Sequence, residues 1–415
     1  MLKKSIVGTM LIFSAMVSIC LAQSSNLANS VDNFSWKYFN TLDKDENIFY
    51  SPYSITTALS VVANGAEKQT LNEFLQVLNV NSLDSMNESY QNFRDTINEN
   101  YHGSKLTLLD SNLILINKDY AAKGINTDYK AIVEKVYKST IRQADFKNNI
   151  AVERQNISNW VAQKTNNFIP NYKSIVNPET VMDILNVVYF KGDWNMPFSS
   201  RLTRIENFTN KTGEKIRVEM MNQTFKDRIK YYEDDKYQAI ELPYKRNNNG
   251  QIVIAMYLLL PIDSADLNIA DKWNDETLKY KQNLLKNVRK AAPFDGKVYV
   301  KVPKFELDIE NNLVKNLQAA GIKRAFTNNA EFFKMVNDTS LKIDNAKHRA
   351  KIKVDETGTE AAAITEIGML ETTAAMPEPE IIKNFYANRP FLFVIKDIDS
   401  DVELFTGVVN KLKSI

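Results

Sequence analysis

The order in which helical and strand-like patterns follow one another limits the fold of this chain most strongly. In the first half, apolar residues recur at helical spacing in four segments, which are Ser54–Val62, Thr70–Leu78, 84–99 and 151–168. From about residue 180, apolar runs typical of buried strands take over, at Val181–Phe190, Gln251–Pro261, Gly296–Val302 and Phe391–Ile395. Helices followed by strands, without strict alternation, predict an α+β fold with mixed sheets.

Local signals refine this pattern at three places. Thr70 with Glu73 three residues later is a capping box, which predicts a helix start at Thr70. Ile309–Ala320 has the spacing of another helix, and Gly321 after it is a suitable stop. The run from His348 to Val354 is strand-like.

The inventory of reactive side chains argues against an enzyme. The 415 residues include one cysteine, Cys20, and two histidines, His102 and His348, so an intrachain disulfide is impossible and no zinc site is expected. Neither histidine lies near a nucleophile motif, and no phosphate-binding loop is present, so we expect no catalytic residues, metal or cofactor. The formal charge of +2 predicts no general affinity for nucleic acid or acidic membranes.

The first 22 residues have the pattern of a secretory signal. Two lysines precede an apolar run from Ile6 to Leu21, and the small residue Ala22 follows it. A membrane anchor and lipidation at Cys20 are the alternatives. Secretion leaves a cysteine-free domain, 23–415, that does not bind membranes. Seven Asn-X-Ser/Thr triplets would be glycosylation sites in a eukaryote, at Asn33, Asn87, Asn156, Asn207, Asn210, Asn222 and Asn337.

Residues 354–382 contain neither lysine nor arginine. Their glycines, alanines, threonines and two prolines are typical of a mobile loop. The segment nevertheless begins after one strand-like run and ends before another, and long loops held in this way are usually functional.

The same segment also alternates like a half-buried strand. One face is small or apolar and uncharged, consisting of Thr359, Ala361, Ala363, Thr365, Ile367 and Met369. The other face carries both glutamates, Glu360 and Glu366. Since no proline lies between Val354 and Met376, we expect this segment to be a loop in one state and an inner strand in another.

Here the residues resemble a known family. Asp355-Glu-Thr-Gly-Thr-Glu-Ala-Ala-Ala-Ile-Thr365 is similar to the hinge of an inhibitory serpin. Further serpin-like motifs follow in the family's order, at Asn47–Ile55, Leu185–Trp194, Val218–Met221, Glu241–Tyr244, Leu259–Pro261, Val302–Phe305, Gly321–Phe326, Asn388–Phe393 and Leu404–Gly407. Two departures are Lys68, where the family often has glycine, and Asn410-Lys411, where it usually has Asn-Pro.

The resemblance implies a single serpin domain over 23–415. Its fold would have about nine helices around three mixed β-sheets, with an exposed reactive-centre loop at about 356–384. The implied hinge is Glu356, Gly358, Thr359, Glu360, Ala361, Ala362 and Ala363. The implied shutter beneath the central sheet is Ser51, Ser54, Asn186 and His348, and the implied breach, where insertion begins, is Trp194, Lys304 and Glu356.

The implied activity is suicide inhibition of a protease, which forms a covalent acyl-enzyme complex while the cut loop enters the central sheet. Counting from Gly358 places the reactive bond at Thr372–Thr373; counting back from Phe385 shifts it by about four residues. Met369, Leu370, Ala374, Ala375 and Met376 therefore remain alternatives to Thr372. A loop without Lys or Arg predicts elastase-, chymotrypsin- or subtilisin-like targets and not trypsin-like ones.

Two other functions remain open within the family. One is a non-inhibitory carrier, chaperone or storage protein; the other is cross-class inhibition of papain-like cysteine proteases. A strong glycosaminoglycan site is not expected, because residues 84–102 carry four acids and a single arginine. The basic cluster of Lys279, Lys281, Lys286, Arg289 and Lys290 is interpreted as a solvated helical face. We expect a monomer.

Overall fold

The computed structural model describes residues 26–101, 105–337, 339–359 and 381–415. The predicted signal segment 1–22 therefore lies outside the described residues. Within them the chain forms nine α-helices: α1 26–39, α2 Pro52–Ala63, α3 Lys68–Leu78, α4 Leu83–Tyr101, α5 Thr127–Lys135, α6 Ile150–Lys164, α7 Ile269–Asp275, α8 Leu278–Lys290 and α9 Leu313–Ala320. Two short 3₁₀ turns occupy Ser200–Leu202 and Arg324–Phe326.

Sixteen strands occur in the described part of the chain. They are β1 Ile48–Tyr50, β2 Thr107–Asn117, β3 Thr140–Ala144, β4 Met182–Asp193, β5 Arg204–Thr209, β6 Lys215–Lys226, β7 Lys230–Glu233, β8 Tyr237–Pro243, β9 Ile254–Pro261, β10 Lys297–Pro303, β11 Phe305–Asn312, β12 Asn345–Val354, β13 Gly358–Thr359, β14 Ile382–Tyr386, β15 Phe391–Asp397 and β16 Glu403–Val409.

These strands form three sheets. The central sheet has the order β11-β12-β13-β4-β2-β3, and β12 also pairs directly with β4. A second six-stranded sheet has the order β1-β16-β15-β9-β8-β7, and a four-stranded sheet has the order β14-β10-β6-β5. Parallel and antiparallel pairs both occur in the central sheet, so the prediction of an α+β fold with mixed sheets is confirmed.

Two apolar cores cover the two faces of the central sheet. The larger core joins the inner face to α2 and to the second six-stranded sheet, and it includes Phe190, Trp194 and Phe405. The smaller core lies beneath α6, where Ile157 and Val161 pack on the outward side chains of β2 and β4. The central sheet is therefore held between two layers.

Two local predictions are wrong at their starts. The helix expected over Ile309–Ala320 begins only at Leu313, because 309–312 belong to β11 and the Asn312 side chain caps the helix by accepting from Val314 N. The Thr70–Glu73 capping box does not form, since α3 begins at Lys68. Distant residues take over those contacts: Glu331 accepts from the Thr70 amide at 3.0 Å.

The backbone conformation at Lys68 shows why the family often has glycine at this position. Its φ is +46°, in the left-handed region where glycine is favoured and a side chain costs about 1 kcal/mol. The predicted stop at Gly321 is confirmed, since Gly321 caps the C-terminus of α9 with a φ of +123°.

Candidate functional site

The central sheet is paired along only part of the boundary between β4 and β12. Parallel partners run from Asn345 opposite Asp183 to Ala350 opposite Val188. Beyond that point the two strands separate and β13 lies between them, with Thr359 opposite both Val354 and Gly192. The sheet therefore already contains the first two residues of an additional antiparallel strand.

Gly358 and Thr359 fit this position closely. A Cβ on Gly358 would come within 2.2 Å of the Gly192 carbonyl oxygen, so the strand tolerates only glycine there. Thr359 is fully buried, and its hydroxyl is 2.7 Å from the hydroxyl of Tyr244. The predicted hinge thus begins with a close backbone contact and a buried hydrogen bond.

Trp194 holds the turn that leads into β13. Its backbone N–H donates to the Thr357 carbonyl at 2.8 Å and its indole Nε1 donates to the Asp355 carbonyl at 3.0 Å. The indole stacks on Tyr244 with ring centroids 4.5 Å apart. One aromatic pair therefore supports both the turn and the buried hydroxyl of Thr359.

Lys304 and Glu356 form the ion pair expected at the breach. The distance from Lys304 Nζ to Glu356 Oε1 is 3.0 Å, and Thr203 donates its hydroxyl to the same oxygen at 2.7 Å. Burial would raise the pKa of Glu356, but the hydrogen bond from Thr203 and the Lys304 ammonium outweigh it and lower that pKa. Glu356 is therefore held as a carboxylate.

The four predicted shutter residues meet in one buried hydrogen-bond network. His348 Nε2 accepts from the Ser51 amide at 3.0 Å, so its proton lies on Nδ1, which donates to Asn186 Oδ1. Asn186 donates to Ser54 Oγ at 2.6 Å, and the Ser54 amide donates to Ser51 Oγ at 3.1 Å. This network links α2 to both strands that border the gap.

Asp110 on β2 completes this network and was not among the predicted shutter residues. The carboxylate accepts from the hydroxyl of Ser54 and from the amide of Asn186. Burial raises the pKa of Asp110 to about 7 and lowers the pKa of His348 to about 3. The polar triplet Asp-Ser-Asn at 110–112, inside an otherwise apolar strand, was the available signal.

A ladder of ion pairs joins β11 to β12 on the outer face of the sheet. Its members are Lys347–Glu310, Arg349–Asp308, Arg349–Glu310 and Lys351–Glu306. Between β12 and β4, by contrast, the backbone pairing ends at Ala350. The sheet is thus most easily opened between β12 and β4, with β11 and β12 staying together.

Several predicted residues lie outside the described residues. These are Glu360, Ala361, Ala362, Ala363, Met369, Leu370, Thr372, Thr373, Ala374, Ala375 and Met376.

The basic cluster on α8 is only partly a solvated face. Lys281 is buried, with Nζ 5.2 Å from the ring centroid of Phe39 and 5.1 Å from that of Trp273. Burial lowers its pKa to about 8. The interpretation of Lys281 as solvated is therefore wrong, because its ammonium rests on aromatic rings beneath the helix.

Among the described residues, no helix is long and apolar enough to cross a membrane, and no cluster of histidine, cysteine or acidic side chains could hold a metal ion.

The fold has three sheets, and the short strand β13 lies inside the central one, between β12 and β4. This combination can be compared with known families. A family model described as "Serpin (serine protease inhibitor)" matches residues 29–412. The chain therefore belongs to the serpin family, most of whose members are protease inhibitors.

Relatives and solved structures agree with this assignment. The chain is 32% identical over 386 residues to an uncharacterized serpin-like protein of Thermococcus kodakarensis, covering 93% of this chain and 85% of that one. It is 29% identical over 394 residues to intracellular coagulation inhibitor 2 of Tachypleus tridentatus, covering 93% and 91%. The native structure of the thermophilic serpin tengpin matches with a TM-score of 0.79 and 26% identity, covering 92% and 93%.

Human thyroxine-binding globulin, solved with its hormone, also matches with a TM-score of 0.79, covering 94% of this chain and 99% of that one. Its identity is 24%, so the likeness concerns the fold alone.

Proposed function

We propose that this protein is a secreted suicide inhibitor of serine proteases. The supporting observation is β13, which lies between β4 and β12 where these two strands no longer pair, with Thr359 fully buried. A loop that begins as an inner strand needs no rearrangement of its start to continue inward.

If β13 were extended in its present register, each later loop residue would have a defined position in the sheet. Continued past Thr359, it would place Ala361 and Ala363 toward the core and Thr365 between Asn186 and His348. Small inward residues pass through a packed sheet at the least cost. Thr365 would also bring a hydroxyl to the shutter, where the Asn186–His348 hydrogen bond must break.

Charge on the outer face supports the same register. Glu360 would come between Lys191 and Lys353, which form no ion pair within the described part of the chain. Opposite charges at the first step of insertion favour the inserted state, although such exposed pairs contribute only about 0–1 kcal/mol each.

The length of β4 supports the predicted reactive bond. Met182–Asp193 offers partners for residues 358–369, so a cut after Thr372 leaves three residues beyond the end of the strand, the last of which carries the acylated carbonyl. In the proposed mechanism the protease serine attacks that carbonyl, the leaving amine departs with the new N-terminus at Thr373, and the acyl-enzyme is carried along as the loop inserts.

The loop composition sets the proposed targets. Without lysine or arginine in 354–382, an elastase-, chymotrypsin- or subtilisin-like pocket fits and a trypsin-like pocket does not. Secretion is proposed from the secretory signal pattern of residues 1–22. Three of the seven glycosylation triplets have exposed asparagines, at Asn156, Asn207 and Asn337, whereas Asn210 is buried.

The direct test mixes the mature protein with elastase, chymotrypsin, subtilisin and trypsin and analyses the mixtures on denaturing gels. A band at the summed mass that survives denaturation is expected with at least one of the first three enzymes. Cleavage without such a band for all enzymes would contradict the proposed inhibition and favour a non-inhibitory serpin.

The position of the reactive bond has its own test. Thr372→Arg should trap trypsin, because it supplies the cation that the trypsin pocket binds at the residue before the cut. Ala375→Arg, three residues further on, is the matched control and should be cleaved without trapping. Mass spectrometry of the released C-terminal peptide locates the cut, and trapping by Ala375→Arg alone would move the reactive bond.

A further inference from the structure

β5 forms one edge of the four-stranded sheet, and its strand partner within the described part of the chain is β6. The Asn210 N–H donates to the Glu214 carbonyl at 2.8 Å, and this pair continues the register of the two strands. Backbone groups in an antiparallel pair face the partner at alternate residues. The backbone groups of Ile205 and Asn207 therefore face the open edge.

This edge is covered at one end and open next to it. At the covered end, the Thr209 N–H donates to the Asn388 carbonyl at 2.9 Å. The backbone N–H and carbonyl of Asn207, by contrast, have no partner among the described residues. The Ile205 carbonyl accepts from Nη2 of the Arg217 side chain at 3.2 Å. An open strand edge of this kind can add a strand from another chain.

Apolar side chains are exposed beside the open edge. Ile205 is 52% exposed, and Leu202, which precedes β5 by two residues, is 44% exposed. A strand added here would place one of its side chains next to Ile205. The contact would remove apolar surface from water, which favours binding.

The same edge carries positive charge that no carboxylate neutralises. The two acids of β5 and β6 that lie nearest are already paired, Glu206 with Lys301 at 2.7 Å and Glu219 with Lys304 at 3.1 Å. Three exposed cations of this hairpin form no ion pair within the described ranges, namely Arg204, Lys215 and Arg217. The edge is thus suited to an acidic partner.

We propose that the β5 edge binds an extended acidic segment of another protein, which adds to the four-stranded sheet as a further strand. The segment pairs its backbone with Ile205 and Asn207. Its acidic side chains pair with Arg204 and Arg217, and an apolar side chain packs on Ile205. A second copy of this chain does not fit, because two such edges would bring the same cations together.

The bound segment would lie next to the hinge of the loop. Thr203, the residue before β5, donates its hydroxyl to Glu356 Oε1 at 2.7 Å, and the Phe198 N–H donates to the Glu356 carbonyl at 2.9 Å. A partner held on β5 is therefore a neighbour of the segment from which the loop starts. Binding itself does not depend on the proposed inhibitory function.

Binding is tested without any protease, by fluorescence anisotropy of a labelled seven-residue peptide in which glutamate alternates with valine. The mature protein is made without N-glycans, because Asn207 begins a glycosylation triplet. Saturable binding of one peptide per chain is expected, and Arg204→Ala with Arg217→Ala should weaken it roughly fivefold or more. Arg228→Ala with Lys286→Ala, which removes two exposed cations elsewhere, is the matched control and should change the affinity less than twofold.

Backbone pairing has its own variant. Asn207→Pro removes an N–H that faces the open edge, keeps every charge and leaves the β5–β6 ladder intact. It should weaken peptide binding roughly threefold or more, whereas Asn207→Gln, the matched control, should not. Thermal unfolding checks that Asn207→Pro is folded. If it is not, N-methylation of the peptide at alternate residues tests the same pairing from the side of the ligand.

Four results would overturn the proposal. Binding that does not saturate would exclude a defined site. Equal affinity in Asn207→Pro and Asn207→Gln would exclude strand addition. Equal affinity for a peptide with lysine in place of glutamate would exclude recognition of acidic side chains. A dimer in sedimentation velocity that Asn207→Pro abolishes would assign the edge to a second copy of the chain.

Discussion

At the scale of single residues, the account depends on side chains that border the gap in the central sheet. Thr359 is inside the sheet already, Gly358 fits against the Gly192 carbonyl, and Asn186 and His348 close the sheet below them. Their size and hydrogen bonds set how easily an additional strand enters.

Thr359→Arg should turn the inhibitor into a substrate. A guanidinium at this fully buried position would have to cross a packed layer without a counter-charge, which costs several kcal/mol. The number of inhibitor molecules consumed per trapped protease should rise roughly tenfold or more. Thr127→Arg, at an exposed position on α5, is the control and should trap normally. Unchanged stoichiometry in Thr359→Arg would show that β13 is not the start of insertion.

Asp110→Asn should change the pH dependence of stability. The folded-state pKa of Asp110 is raised to about 7, so the unfolded chain releases this proton first and stability falls as pH rises from about 4 to about 7. The asparagine variant lacks this loss. The free energy of unfolding of Asp110→Asn, relative to that of the wild type, should therefore increase by roughly 1–3 kcal/mol between pH 5 and pH 8.

Denaturant unfolding at the two pH values measures the Asp110 effect. Asp235→Asn, at an exposed carboxylate, is the control and should show no such growth. His348 contributes equally to the wild type and the variant: its lowered pKa of about 3 costs stability only as pH falls below about 6.5. If the free energies of unfolding of the wild type and Asp110→Asn differed by the same amount at both pH values, the raised pKa of Asp110 would be contradicted.

At the scale of elements, the sequence patterns predicted where helices and buried strands lie. They predicted less well which of these elements contact one another. Apolar periodicity depends on neighbours along the chain, so α4, β9 and β15 could be predicted within a few residues. The start of α9 was missed because β11 gains its stability from pairing with β12, about forty residues later. Asp110 was missed for the same reason, since Asn186 and Ser54 are distant in sequence.

The opening of the sheet between β4 and β12 can be blocked with a disulfide. Residues 23–415 contain no cysteine, so Val188→Cys with Ala350→Cys introduces a single pair at directly opposed positions in that part of the chain. The oxidised variant should be cleaved by a target protease without trapping it, and reduction should restore trapping.

A second pair serves as the control for this crosslink. Leu307→Cys with Ile352→Cys joins β11 to β12, which the ion-pair ladder already holds together. This variant should trap protease in both redox states. Trapping by the oxidised β4–β12 variant would contradict opening at that boundary.

At the scale of the whole molecule, the proposed function requires that the native fold is not the most stable arrangement of the chain. The central sheet contains a gap between β4 and β12, and residues 360–380 connect β13 to β14 in the sequence. In the proposed mechanism, cleavage of this segment frees it to enter the gap, and strand insertion then adds backbone hydrogen bonds along both neighbouring strands. Stability gained by cleavage is therefore the central claim.

The measurement that tests this claim most directly is thermal unfolding before and after one cut between Leu370 and Met376, made by a protease that the protein does not trap. The account predicts a midpoint roughly 10 °C or more higher after the cut, with no such rise in Thr359→Arg. A midpoint that is unchanged or lower after cleavage of the wild-type chain would show that the loop does not enter the sheet and would contradict the account.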